Sequence, residues 1–325
     1  HRFIRRRKSG DGQLGRLIVL SRRTCMGAAA GLGAALAGSS SLPSVAQKRR
    51  VIVDAQVHLW KAASEDWKWV PGREPQLPEP FTIERLVPMM DEAGVDRVVI
   101  VPPSWPGDRN DYAIEAVQRY PSRFAIMGRI PLEKPESAAL LPKWREQPGM
   151  KGVRLTFQRE QYALLRDGHA EWFWTAAEKE NLPVMFFAPR NVSKFVSVAE
   201  RHPGLPMIID HMSLHHSMAK SGEIPKVIDD VVAFAKYPNV SVKMSSVPNY
   251  SLEDYPYRDM DAALKRCFDA FGPRRCHWGT DITNSFAKAT YRQRVTHFTE
   301  ALTFMSEEDK DWVMGKSIME KLKWT

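Results

Sequence analysis

Cysteine is scarce in this chain, with three in 325 residues. Cys25 lies in a basic leader, while Cys267 and Cys276 fall on a helical pattern and the strand pattern after it. There they read as two small buried apolar residues rather than as a disulfide or a metal site. Long apolar runs are also missing. The stretch Met26 to Ala37 is too short and too rich in Gly and Ala to span a bilayer, which needs about 20 apolar residues, so no stable membrane anchor is expected. No glycine-rich turn follows the first strand pattern to bind a dinucleotide. The body likewise contains no P-loop, internal repeat or low-complexity tract. Net charge is low once it is divided. Of the formal +9, residues 1–46 carry +7, from eight Lys/Arg against Asp11, which leaves +2 for residues 47–325. A nearly neutral body gives no argument for a nucleic-acid partner.

The leader has the parts of an export signal: a basic segment, the small apolar run, and Ser44-Val45-Ala46 as a cleavage site. Ser21-Arg22-Arg23 resembles the twin-arginine signal, with Cys25 and Met26 where Phe and Leu are usual. Residues 1–46 are therefore expected to be removed and the mature protein to be periplasmic or secreted. The alternative is a disordered basic tail on a cytoplasmic protein.

The body, residues 47–325, starts with V-I-V-D-A-Q-V-H-L-W from Val51 to Trp60. Three β-branched residues run into Asp54, and Gln56 and His58 follow at period two, so a strand carries polar groups at its C-terminal end. Seven more strand patterns follow, at Arg97 to Val101, Phe124 to Ile130, Gly152 to Thr156, Pro183 to Ala188, Pro206 to Asp210, Val240 to Met244 and Cys276 to Gly279. Segments of 3.6-residue apolar spacing alternate with them. Eight continuous apolar strands separated by helices predict one closed (β/α)8 TIM barrel, with chemistry at the strand C-terminal ends. The proline-rich segment Lys61 to Pro80 should be a loop near the mouth. The polar residues at strand ends are Gln56 and His58, then Arg154, then Asp210 and His211, then Lys243, Ser245 and Ser246, and last Asp281.

In order, D-A-Q-V-H-L-W, K-G-V-R, I-D-H-M, V-K-M-S and W-G-T-D resemble the amidohydrolase superfamily, in the amidohydrolase-related branch of lactonases and non-oxidative decarboxylases. The resemblance runs from about Val51 to the C-terminus. Metal-dependent members carry His-x-His on strand one, a His after strands five and six, and an Asp after strand eight. Here Gln56 replaces the first His, and strand five ends in Phe186-Phe187-Ala188 without one. His58, His211 and Asp281 match the remaining positions.

This pattern implies a hydrolase that opens a lactone or similar cyclic ester without a metal cofactor. Asp281 would act as general base on a water, its pKa raised by an apolar barrel. His58 and His211 would donate to the carbonyl and the tetrahedral oxyanion. Arg154 would clamp a substrate carboxylate, with Lys243 a second candidate for that task. Gln56 would orient water or substrate, and Trp60 would line the pocket. The substrate is expected to be a small anionic molecule, with sugar lactones and sugar acids open, and the sequence leaves the oligomeric state open. One alternative is a decarboxylase of an aromatic or unsaturated acid using a single divalent ion, Zn²⁺ or Mn²⁺, on His58, His211 and Asp281. Another is a periplasmic binding protein that has lost its chemistry. His215 and His216 read as solvated loop residues, and His277 as a core histidine.

Overall fold

The computed structural model describes residues 49–158 and 161–325. The proposed leader and its cleavage site lie outside the described residues, as does Cys25. Eight strands follow in order: β1 (Val53–Val57), β2 (Arg97–Ile100), β3 (Phe124–Gly128), β4 (Met150–Thr156), β5 (Val184–Phe187), β6 (Met207–Ile209), β7 (Val240–Ser245) and β8 (Cys276–Gly279). Each pairs in parallel with the next, in the spatial order β1 to β8. All eight predicted strands are present, although β1 starts two residues later than the β-branched run suggested and carries Gln56 within it.

The ring meets itself where β8 reaches β1. Asp281 N donates to Gln56 O at 2.9 Å across this seam. Asp54 fastens the same place from inside, because its carboxylate accepts from the backbone N–H groups of Gln56 (3.0 Å) and Thr280 (2.7 Å), the Thr280 hydroxyl, and the Tyr291 hydroxyl (2.7 Å). Close approach explains the glycine of W-G-T-D. A Cβ on Gly279 would lie 3.2 Å from Gln56 N and 3.3 Å from Ala55 N. The structure is thus a single parallel barrel with helices outside it, the (β/α)8 architecture that the sequence predicted.

Apolar side chains divide into two layers. One joins the outer strand faces to the helices, as with Leu86 and Met90 of the helix Ile83–Ala93 and Ala116 of the helix Asp111–Arg119. The other fills the barrel interior with Val53, Val99, Met127, Met185 and Ile208, and is capped by Ile318, Leu322 and Trp324 of the C-terminal segment. Most predicted helices lie at the predicted positions. Pro135–Glu146 forms 3-10 turns instead of an α-helix, since Pro142 removes an N–H from its interior. Cys267 and Cys276 are free and buried, and His277 is buried with Nδ1 2.8 Å from Ser317 Oγ. No helix among the described residues is long and apolar enough to cross a membrane.

Asp54 has four donors in a buried site, so replacing it should be costly. Asp54→Ala leaves the Thr280 and Tyr291 donors unpaired and should lower the unfolding free energy by about 3 kcal/mol. Urea unfolding followed by circular dichroism measures this; a loss under about 1 kcal/mol would mean that water replaces the carboxylate without strain.

Candidate active site

Three strand ends leave their strands through left-handed backbone. His211, Met212 and Ser213 (each φ 53°) follow β6, Ser246 (φ 61°) follows β7 and Asp281 (φ 46°) follows β8. For residues with a Cβ this conformation costs on the order of 1 kcal/mol apiece. These turns deliver His211 and Asp281 towards the barrel axis, where His58 arrives from the end of β1.

The centre is dominated by Asp210, which is fully buried. Arg154 Nε lies 3.0 Å from its Oδ2 and Lys243 Nζ 2.7 Å from its Oδ1. Burial alone would raise this carboxyl, but the Lys243 and Arg154 charges outweigh it and hold the pKa at about 2. Lys243 is itself fully buried and also donates to Gln56 Oε1. An ammonium can only donate, so the Gln56 carbonyl must face it and the amide N–H groups must face away. They point at His58 Nε2 (3.3 Å) and His211 Nε2 (3.0 Å).

The tautomers follow. His58 Nδ1 is 2.6 Å from the Val101 carbonyl, which can only accept, so Nδ1 carries the hydrogen and a neutral ring has its lone pair on Nε2. His211 accepts from Gln56 at Nε2 and donates from Nδ1 to Ser245 Oγ at 2.7 Å. Burial, only partly opposed by Asp281 and Asp210, lowers the His211 pKa to about 4, so this ring is neutral at pH 7. His211 therefore presents an acceptor at Nε2, where the sequence reading expected a donor.

Asp281 faces both Nε2 atoms. Its Oδ1 is 3.2 Å from His58 Nε2 and its Oδ2 is 3.6 Å from His211 Nε2, and Oδ1 receives no well-directed hydrogen bond. The carboxyl was expected to have a raised pKa. Burial does push it up, but the His58 contact, then His211 and Arg154, push it further down, and it lies well below the ordinary carboxylate range.

A cavity of about 250 Å³ opens above this group. His58, His211, Asp281 and Arg154 line it, as the sequence indicated. Three other predicted site residues do not reach it. Gln56 and Lys243 lie beneath the imidazoles, their polar ends occupied by one another and by Asp210. Trp60 is fully buried, and Trp105, packed edge-on at 5.0 Å from it, supplies the wall instead. His215 and His216 border the cavity, their rings 4.0 Å apart. The proline-rich loop contributes Gln76, whose Oε1 accepts from Thr283 at 2.5 Å.

Sequence reasoning missed Arg129 and Tyr250 in this lining. Arg129 directly follows β3, and the strand-end rule would have found it had the strand been ended at Gly128 rather than Ile130. Tyr250 sits in a short helical turn, Val247–Tyr250, for which the sequence gives no sign.

A metal can be tested against this donor set. Among the described residues no group of three or more His, Cys, Asp or Glu is arranged to hold an ion. Both Nε2 lone pairs face the Gln56 amide, which occupies the place between them. The side chains as arranged do not fit a metal without displacing Gln56.

The His211 pKa gives a stability prediction. An unfolded histidine takes up its proton near pH 6.5, whereas His211 resists until about pH 4. The unfolded chain therefore binds more protons between those values, and stability should fall as pH is lowered from about 6.5 to 4. His211→Asn should flatten that part of the unfolding curve, and an unchanged slope would show that His211 is not held neutral.

The model of the family described as "Amidohydrolase" matches residues 53–317. An L-fucono-1,5-lactonase from Burkholderia ambifaria is 24% identical over 241 residues, covering 70% of this chain and 79% of that protein. A 4-sulfomuconolactone hydrolase from Rhizobium radiobacter is 26% identical over 221 residues, covering 66% of this chain and 70% of the other. Among solved structures, an amidohydrolase from Burkholderia multivorans with bound zinc superposes with a TM-score of 0.71 at 17% identity, over 84% of this chain and 99% of that one. A divalent ion is thus compatible with the fold.

Proposed function

The chain belongs to the amidohydrolase family, and from that premise we propose that it hydrolyses a lactone or similar cyclic ester by metal-free attack of water. The observation that carries this reading is the buried, ionised Asp281, which lines the cavity and whose Oδ1 lacks a directed hydrogen bond, with His58 Nε2 3.2 Å away. The free Oδ1 can accept one hydrogen of a water molecule, which turns its own lone pair outward to the cavity.

In the proposed reaction the water oxygen bonds to the ester carbonyl carbon and its proton passes to Asp281. Because that carboxyl is a weak base, the proton needs a further acceptor. His58 Nε2, 3.2 Å away, takes it as the 3.3 Å bond from the Gln56 amide gives way, and returns it to the ring oxygen as the acyl–oxygen bond breaks, leaving a hydroxy acid. The neutral His211 cannot donate to the oxyanion from Nε2, and His58 Nε2 is assigned to the proton relay, so another group must donate. Tyr250 suits that role: burial, and then the Asp281 charge, hold its pKa well above the ordinary phenol value, so it keeps its hydrogen. Arg154 is fixed through Nε by Asp210 and leaves its Nη2 towards the cavity for an anionic substituent. The lactone-hydrolysing activities named for the two relatives support the reaction class.

Asp281→Asn should lower kcat/KM on any lactone that the enzyme accepts by at least about 10³-fold, with unchanged circular dichroism. Turnover within tenfold of the parent would remove Asp281 as base.

Elemental analysis of residues 47–325, prepared with and without added Zn²⁺ or Mn²⁺, should find negligible metal in both. One tightly held ion per chain would instead show that Gln56 gives way, and would bring a metal-dependent hydrolase or decarboxylase to the front.

A further inference from the structure

The helix Tyr291–Thr296 carries two residues that reach back to the seam between β8 and β1. Tyr291 gives its hydroxyl to Asp54 at 2.7 Å. Arg294, one turn further on, gives both Nη nitrogens to the stretch after Asp281. Its Nη1 donates to Ser285 Oγ at 2.9 Å, and its Nη2 to Ser285 O at 2.7 Å and to Ala289 O at 3.4 Å. Ser285 is the kink of the segment Ile282–Lys288, with φ −140° and ψ 38° among 3-10 turns.

Arg294 is a buried cation whose hydrogen-bond partners are all neutral, a hydroxyl and two carbonyls. Its Nε is also buried and has no partner among the described residues. Burial pulls the guanidinium below its ordinary pKa, opposed in turn by Tyr257, Asp281 and Asp54. A buried charge with an orphaned N–H is costly, and an apolar side chain at this place in the helix would avoid that cost. Such an arrangement calls for a role beyond packing.

The short turn from Asp281 to Ser285 runs between two fixed points. Upstream, Asp281 N is tied to Gln56 O at 2.9 Å; downstream, Ser285 is tied to Arg294. Between them Asn284 N closes the turn on Asp281 O at 3.0 Å, and both residues line the cavity. Asp281 is held at φ 46°, and a turn pinned at one end only is free to relax out of so unfavourable a conformation. We infer that Arg294 is a positioning residue for the proposed base: its fork clamps Ser285 and so keeps Asp281 aimed into a cavity that Arg294 itself does not line. This rests on the hydrolytic reading of the same site. Lysine cannot take over, since one ammonium lacks the planar pair of donors that meets Ser285 Oγ and O together.

Hydrogen exchange tests the anchor without turnover. In the full chain, Arg294→Lys should raise amide exchange in peptides covering residues 282–289 by at least about tenfold, with peptides of β2 to β5 at the parent rate. Should that variant fail to fold, Ser285→Ala removes one bond and no charge, and should raise the same exchange about threefold. On a lactone that the parent opens, Arg294→Lys should lower kcat about 10²-fold and leave KM within about twofold, because the substrate meets the same walls. In Arg294→Ala, added guanidinium should raise kcat at least about fivefold where urea at the same concentration does not, a response that lost packing alone would not give. Unchanged exchange at 282–289 would overturn the inference, as would a raised KM at parental kcat, or a kcat that guanidinium restores no better than urea. A loosened segment in a chain that opens no lactone would leave the anchor standing and remove the hydrolase. Lactone turnover at parental kcat in Arg294→Lys would do the reverse.

Discussion

The buried carboxylate of Asp210 is the interaction on which the site depends. A full negative charge out of water is tolerable only with close, well-directed cations, and Arg154 and Lys243 provide them at 3.0 and 2.7 Å. Each cation is thereby aimed. Arg154 gives its Nε to Asp210 and its Nη1 to the Thr156 hydroxyl, and lines the cavity. Lys243 is held under Gln56 and fixes which way its amide points, and the amide in turn decides which nitrogen of His211 carries hydrogen and faces the same lone pair of His58. A single ion group thus sets protonation states three contacts away.

Backbone supplies the second constraint. The seam between β1 and β8 is drawn together by Asp54 and by the Asp281 N to Gln56 O bond, so the residue that carries the proposed base is part of the barrel's closure. Left-handed turns after β6, β7 and β8 bring polar side chains to one point at some conformational cost. The proposed reacting groups stand at the ends of β1, β6 and β8, and two arginines line the cavity from the ends of β3 and β4.

The acceptor character of the two imidazoles changes how the site is understood. Histidines beside a catalytic aspartate suggest donors to a carbonyl, but a lone pair already facing an amide N–H cannot donate. The Gln56 amide that disfavours an ion between the Nε2 atoms leaves Asp281 Oδ1 as the acceptor without a directed hydrogen bond. Arg129 and Arg154 add positive potential at the far side of the cavity, where burial strengthens its effect on an anionic ligand.

The sequence by itself determined the strand count, the barrel, and the identity of His58, Arg154, His211 and Asp281 as strand-end residues, because apolar periodicity and strand-end position are local properties that survive without coordinates. The two cysteines and His277 were also legible, since small or neutral side chains in apolar runs have few other places to be. Tertiary structure alone decided what each polar group faces. Lys243 and Gln56 sit at strand positions that look like site positions, yet depth along the barrel axis puts them one layer beneath the cavity, and only the packed barrel sets that depth. Trp105 rather than Trp60 forms the wall for the same reason. The low pKa of Asp281 depends on imidazoles brought from residues 58 and 211, and the lowered pKa of Arg129 on burial together with charges brought from residues 73, 108 and 154. Charges far apart in the chain interact only once folding has brought them within a few ångströms in a medium that screens them poorly.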